Sequence, residues 1–209
     1  IVHARNIPVI VDEAHGVLMK FHDDLPLSAM QAGADMAATS VHKLGGSMTQ
    51  SSVLNVREGL VSAKRVQTVL SMLTTTSTSY PLLASLDTAR RQLAVHGYDL
   101  IDDAVRLAKD TRKRINNINH LYCVGREKLH SSATFDMDPL KLLVSVKDLG
   151  ITGHQAEEWL RHNANLEVEL SDLYNILCLV TLGDTKKEMN LRVNALQRMS
   201  QAFDSEAVI

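Results

Sequence analysis

Two short apolar runs near the start of the chain each end in a residue with chemistry to offer. Val9 to Val11 reads as a buried strand that ends at Asp12, in the phrase VIVDEAHG. Asp35 to Ser40 reads as the next strand, and TSVHKLGGS delivers His42 and Lys43 just beyond it. LPLSAMQAG, between the two, makes a helical turn or two that stops at Gly33. SSVLNV is a third strand candidate. Short strands alternating with polar, glycine-bearing links give an α/β rhythm, which suits a mostly parallel sheet with functional groups at strand ends.

A carboxylate at one strand end and a Ser-x-His-Lys at the next form the set needed to hold pyridoxal phosphate (PLP). The lysine amine forms a Schiff base. The aspartate keeps the pyridine nitrogen protonated, so that the ring acts as an electron sink. A lysine in that role must spend time neutral, which a partly desolvated, cation-rich site favours. Asp12 closes an apolar strand, so its carboxylate is poorly solvated unless a cation faces it, and a protonated pyridine is such a cation. Either residue alone is weak: a lone lysine is ordinarily a surface residue, and a lone aspartate is a cap or turn residue. The ordered pair carries the reading.

The same phrases carry a resemblance. IPVIVDEAHG, LPLSAMQAGADM, SVHKLGGSMTQSSVL and STSYPLLASLD together resemble the bacterial type of Orn/Lys/Arg decarboxylases, which have the fold-type I PLP architecture. DPLKLLVSV, GITGHQAEEWL, VELSDLYNILCLVT and LGDT resemble the downstream region of that family's shorter arginine or lysine decarboxylase branch. The likeness runs from about Ile7 to Thr185, with its blocks in order. It implies an α/β fold: the second half of a PLP-dependent transferase-like large domain, then a smaller α+β domain. It implies PLP as cofactor and removal of the α-carboxylate from arginine, lysine or ornithine, giving a polyamine or its precursor. It also implies a homodimer or higher homo-oligomer.

Residue by residue, the resemblance gives Lys43, Asp12 and His15 catalytic places. It sets Ala14 against the cofactor ring, and Ser40 and His42 on the phosphate. Hydroxyl and imidazole donors suit a phosphate dianion. Ser77 and Ser79 lie where the family contributes hydroxyls across a dimer interface to the partner's phosphate. Thr78 stands where the family usually has proline, so the hydroxyls are kept while the loop geometry differs. Asn55 stands where a histidine is expected. Glu169 is placed to meet the distal cation of the substrate. Each has a plainer reading: His15 as a surface turn histidine, Ser40 and His42 as strand-end polarity, TTTSTS as an inter-helix loop, and Glu169 with Asp172 as a solvated turn.

Amphipathic spacing predicts a helix over 58–73, a second over 82–95, an interruption at His96-Gly97, and a third over 99–117 with Arg and Lys near its end. Asn-Asn-Ile-Asn at 116–119 breaks the pattern. The domains are therefore drawn as 1–118 and 119–209. Beyond the break, strands are expected over 140–146, 166–170 and 175–182. A helix is expected over 153–163, with Trp159 and Leu160 on its buried side. A last helix is expected over 184–203, capped by Asp184.

Ile7-Pro8 runs directly into the first strand, with no initiator Met or signal peptide before it. The expectation is a piece of a longer polypeptide, inactive alone, with glycine-rich phosphate contacts and a ring-stacking residue upstream. Net charge is −2, which shows no electrostatic footprint for nucleic acid. No apolar run has the length of a membrane span, and no His/Cys group has metal-ligand spacing. Cys178, inside NILCLVTL, reads as a buried thiol and points to a reducing cytoplasm. Three other functions compete: a non-catalytic decarboxylase-like subunit, another fold-type I enzyme such as an aminotransferase, and a DEAH helicase. The last lacks a GxxxxGK[ST] loop.

Overall fold

A computed structural model describes residues 1–129 and 132–206, with side chains through residue 204. It divides into two compact units, Ile1–Ile101 and Asp102–Ile209.

In the first unit, β1 (Ile10–Asp12), β2 (Met36–Thr39) and, after the one-turn helix α1 (Val41–Leu44), β3 (Val53–Val56) form a sheet in chain order. β1 and β2 run parallel, with Asp12 beside Ala38. β2 and β3 are antiparallel. The expected mostly parallel sheet is thus met by one of two pairings. A parallel return needs a crossover long enough to traverse the sheet, and the β2–β3 link holds only the single turn α1. LPLSAMQAG forms turns rather than a helix and ends at Gly33. Ala29, Ala34 and Ala37 are buried together, with Val9, Val11 and Met30 packed on them. Buried Asp35 ties this layer together. Its carboxylate accepts from the Val9 N–H at 2.8 Å and meets His3 Nε2 at 2.7 Å. The Val9 bond, then that to His3, holds the Asp35 carboxyl below the usual carboxylate range.

Helix α2 (Ala63–Leu73) starts later than its spacing suggests, because Ser62 caps it by accepting from the Arg65 N–H. None of its residues is buried, and Val69, Leu70, Met72 and Leu73 are exposed. Helix α3 (Tyr80–Ile115) is continuous, where two helices were expected. His96-Gly97 does not interrupt it. Gly97 is buried within the helix, and a methyl there would sit 3.5 Å from Phe21 Cβ, an ordinary contact. Glycine is here a small packing residue rather than a breaker.

In the second unit, β4 (Tyr122–Cys123), β5 (Lys141–Ser145), β6 (Leu170–Ser171) and β7 (Asn175–Leu179) form an antiparallel sheet of order β4-β5-β7-β6. Two helices accompany it, α4 (Gly153–Ala164) and α5 (Lys186–Glu206). β4 went unforeseen, being two residues long. Asn116 extends it from the side: its Oδ1 accepts from the Cys123 N–H and its Nδ2 donates to the Cys123 carbonyl. Arg112 spends its guanidinium on the carbonyls of Val124, Pro139 and Lys141 rather than on the helix end. On α4 the buried residues are Gly153, Ala156 and Leu160, and Trp159 is only half-buried. The expected strand over 166–170 shrinks to β6.

Asp184 does not cap α5. Its carboxylate accepts from the N–H and hydroxyl of Thr181 and closes the preceding turn. The cap is Thr185, bonded to the Lys187 N–H, with Glu188 returning to the Thr185 N–H. Thr185 thus satisfies the second N–H of the helix while Glu188, at the third position, satisfies that of the cap. Cys123 and Cys178 are buried and unpaired. Burial raises both thiols, Cys123 to about 11.

Two helical glycines make a paired test. Gly97→Ala removes a poor helix former and meets only ordinary contacts, so it is expected to stabilise by about 0.5–1 kcal/mol. A methyl at Gly153 would run into the carbonyl oxygens of Asp172 and Asn175, so Gly153→Ala is expected to destabilise by about 3 kcal/mol. Denaturant midpoints measure both.

Candidate functional site

The site is built where β1 and β2 end side by side. β1 delivers Asp12, and the chain turns through Glu13, Ala14 and His15. β2 delivers Thr39, then Ser40, His42 and Lys43 on α1. Two main-chain bonds hold these ends together: the Glu13 N–H donates to the Ala38 carbonyl at 2.9 Å, and the Ser40 N–H donates to the Ala14 carbonyl at 3.3 Å. Asp12, Ala14, Ser40, His42 and Lys43 are thereby collected at one end of a parallel strand pair.

Asp12 is exposed, and its Oδ1 accepts from the Ala14 N–H at 3.1 Å. Among the described residues no cation pairs with it. Lys43 is exposed too, and among the described residues its amine meets no acceptor. Glu13 is engaged elsewhere, its Oε1 accepting from the Ala29 N–H at 2.6 Å. Asp12, Ala14 and His15 line a cleft of about 590 Å3, with Pro26, Leu27 and Ala29 on another wall. Ser40, His42 and Lys43 do not line that cleft.

The segment after Lys43 closes on itself. Gly46 takes φ +86°, a left-handed conformation that only glycine adopts cheaply. His42 directs Nδ1 at the Ser51 carbonyl, 2.9 Å away. Asn55 Nδ2 reaches Thr39 Oγ1 at 3.4 Å, so the residue found in place of histidine touches the strand that leads to Lys43.

Other expected site residues are not gathered here. Ser77 and Ser79 lie in the exposed link between α2 and α3, where the Ser77 N–H donates to Thr75 Oγ1. Among the described residues no hydrogen bond joins either to the Asp12 and Lys43 group. Glu169 belongs to the second unit and is exposed, its N–H donating to the Leu177 carbonyl at 2.8 Å. Asp172 closes the turn before β7, accepting from the Tyr174 and Asn175 N–H groups. Those bonds hold its carboxyl below the usual range, Tyr174 foremost. Sequence reasoning passed over Ser51 and Ser85. Ser85, on α3, accepts from the Met48 N–H at 3.1 Å. No local pattern marks a contact between residues so far apart in the chain.

The described residues contain no group of His, Cys, Asp and Glu able to hold a metal ion. Among them no helix is long and apolar enough to cross a membrane. The first unit thus carries Asp12 at the end of β1 and Lys43 on α1, just beyond the end of the parallel strand β2.

Residues 1–188 match the family model of the Orn/Lys/Arg decarboxylase major domain, and the chain belongs to that family. It is 66% identical over 205 residues to an arginine decarboxylase of Bacillus anthracis, covering 98% of this chain and 42% of that protein. It is 68% identical over 198 residues to an arginine decarboxylase of Halalkalibacterium halodurans, covering 95% of this chain and 40% of that one. The chain thus spans about two fifths of the length of these curated relatives. In fold it is similar to the crystal structure of the Francisella novicida lysine decarboxylase, with a TM-score of 0.79 at 23% identity, over 94% of this chain and 33% of that one. Family membership removes the helicase alternative: DEAH here ends β1 of a decarboxylase-type sheet.

Proposed function

We propose that this chain forms part of a PLP-dependent decarboxylase of basic amino acids, with arginine as the first candidate substrate. The observation that carries the reading is the Asp12 carboxylate at the end of β1 and the Lys43 amine on α1, just past the end of parallel β2, neither with a charged partner among the described residues. That pair fits a group carrying both a protonatable pyridine nitrogen and an aldehyde. Family membership and the names of the two bacilli-type relatives support the substrate class.

When bound, PLP supplies the electron sink for loss of the α-carboxylate. The residues divide the remaining work. Lys43 Nζ would hold the cofactor covalently and serve as a base. Asp12 keeps a proton on the ring nitrogen, an ion pair whose strength grows as water is excluded. Ala14 offers a small, flat surface to the ring. Ser40 and His42 donate to the phosphate, and His15 faces the substrate side. Ser77 and Ser79 serve the phosphate of a second copy, which makes the working enzyme a homodimer or larger. Glu169 is assigned to the distal cation of the substrate. The cofactor-binding part runs to about residue 118, and 119–209 is the smaller domain. Two buried, unpaired thiols suit a reducing cytoplasm.

The test is CO₂ release by the full-length protein from arginine, lysine and ornithine, with and without added PLP. Release from arginine that depends on PLP is the expected result. No release from any of the three would overturn the reading.

A further inference from the structure

We infer that Ser51 and Ser85 are positioning residues for the His42 ring: they fix the loop whose carbonyl holds Nδ1 and so aim Nε2 of the imidazolium at an anionic ligand. The inference rests on the proposed PLP reading and deepens it.

A main-chain carbonyl only accepts hydrogen bonds. The 2.9 Å contact between His42 Nδ1 and the Ser51 carbonyl therefore places a proton on Nδ1, and Nε2 donates to an anion when the ring carries its second proton, as the imidazolium. The same oxygen accepts from the His42 N–H at 3.3 Å, so one carbonyl fixes both the backbone and the ring of this residue. The carbonyl is held in turn. Ser51 is buried, and its hydroxyl donates to the Met48 carbonyl at 2.6 Å, closing the loop on itself. The Met48 N–H donates to Ser85 Oγ at 3.1 Å, and Ser85 Oγ donates to the Leu82 carbonyl one turn back on α3. A chain of hydrogen bonds thus runs from α3 through the loop to His42, the residue beside Lys43. Neither serine needs to touch a ligand. Supporting shells of this kind set the tautomer and aim of a histidine.

Within the loop Ser47 and Ser51 are buried, while Met48, Thr49 and Gln50 are exposed. Losing either hydroxyl frees the Ser51 carbonyl to drift, and His42 can then turn its ring.

The experiment measures binding of PLP and of pyridoxal, which lacks the phosphate, to the full-length apoprotein by quenching of intrinsic fluorescence. Wild type, Ser85→Ala, Ser51→Ala and the hydroxyl-retaining Ser85→Thr are compared. Ser85→Ala and Ser51→Ala are expected to weaken PLP about tenfold, the loss of roughly one charge-assisted hydrogen bond. They are expected to leave pyridoxal within twofold, and Ser85→Thr restores PLP affinity. In a His42→Ala background Ser85→Ala then has no further effect. Equal weakening of both ligands would show a merely structural role and overturn the inference, as would unchanged PLP affinity in both alanine variants. If Ser85→Ala does not fold, Ser51→Ala and Ser85→Thr decide by the same ratio. Failure of wild type to bind PLP at all would instead strike the proposed function, so the two failures are distinguishable.

Discussion

Borohydride reduction of the PLP-loaded full-length protein is expected to leave a phosphopyridoxyl group on the peptide that contains Lys43. Lys43 is exposed at the end of α1, and among the described residues its amine meets no acceptor, so no competing partner must be displaced before it reacts. Its neighbour His42 is held by the Ser51 carbonyl, which keeps that ring from folding over the amine. Lys43→Ala should abolish the visible absorbance of lysine-bound cofactor and lower turnover by at least four orders of magnitude. A lost covalent anchor and a lost base together remove well over 5 kcal/mol from the barrier reduction, at about 1.4 kcal/mol per decade. Peptide mapping by mass spectrometry reads the site of attachment. Label on another lysine, with Lys43 clean, would defeat the assignment whatever the activity.

Replacing Asp12 by Asn is expected to cost about a thousandfold in kcat with little change in cofactor retention. Asparagine keeps the shape and can still accept the Ala14 N–H, so the β1 turn survives. It cannot stabilise a protonated pyridine. An ion pair at the short separation implied is worth several kcal/mol in a partly excluded site, on the order of three decades in rate. The phosphate contacts do not involve Asp12, so PLP affinity falls less than rate. Steady-state kinetics with arginine, beside a cofactor titration, separates the two. A variant with near wild-type kcat would show Asp12 to be a turn residue.

Local patterns carried much of the fold. β2 and β3 lie inside their expected runs, and β1 is displaced by one residue to include Asp12 and is not the buried strand expected, since Ile10 and Asp12 are exposed. The direction of β3 was not local information, since it depends on how far the β2–β3 link can reach. Gly97 reads as a breaker beside His96. It instead lies buried within α3, beside Phe21, which no window along the helix contains. Asp184 and Thr185 compete for one cap, and the choice turns on whether Thr181 engages Asp184 first. The site divides likewise. Asp12, Ala14, Ser40, His42 and Lys43 sit in contiguous phrases beside two paired strand ends, so the phrases show where on the sheet they fall. Ser51 and Ser85 act through a main-chain carbonyl and a main-chain amide, and neither leaves a sequence pattern.

The spacing of the two strand ends that lead to Asp12 and toward Lys43 is set by peptide groups: the β1–β2 ladder, the Glu13 to Ala38 bond and the Ser40 to Ala14 bond. Every residue but proline carries those groups. Side chains along β1 and β2 can therefore drift through evolutionary time without moving the carboxylate relative to the amine, provided proline stays out of positions 13 and 40. Variation among descendants of such a chain should gather in what surrounds the frame, where new substrates are accommodated, while the spacing is inherited with the backbone.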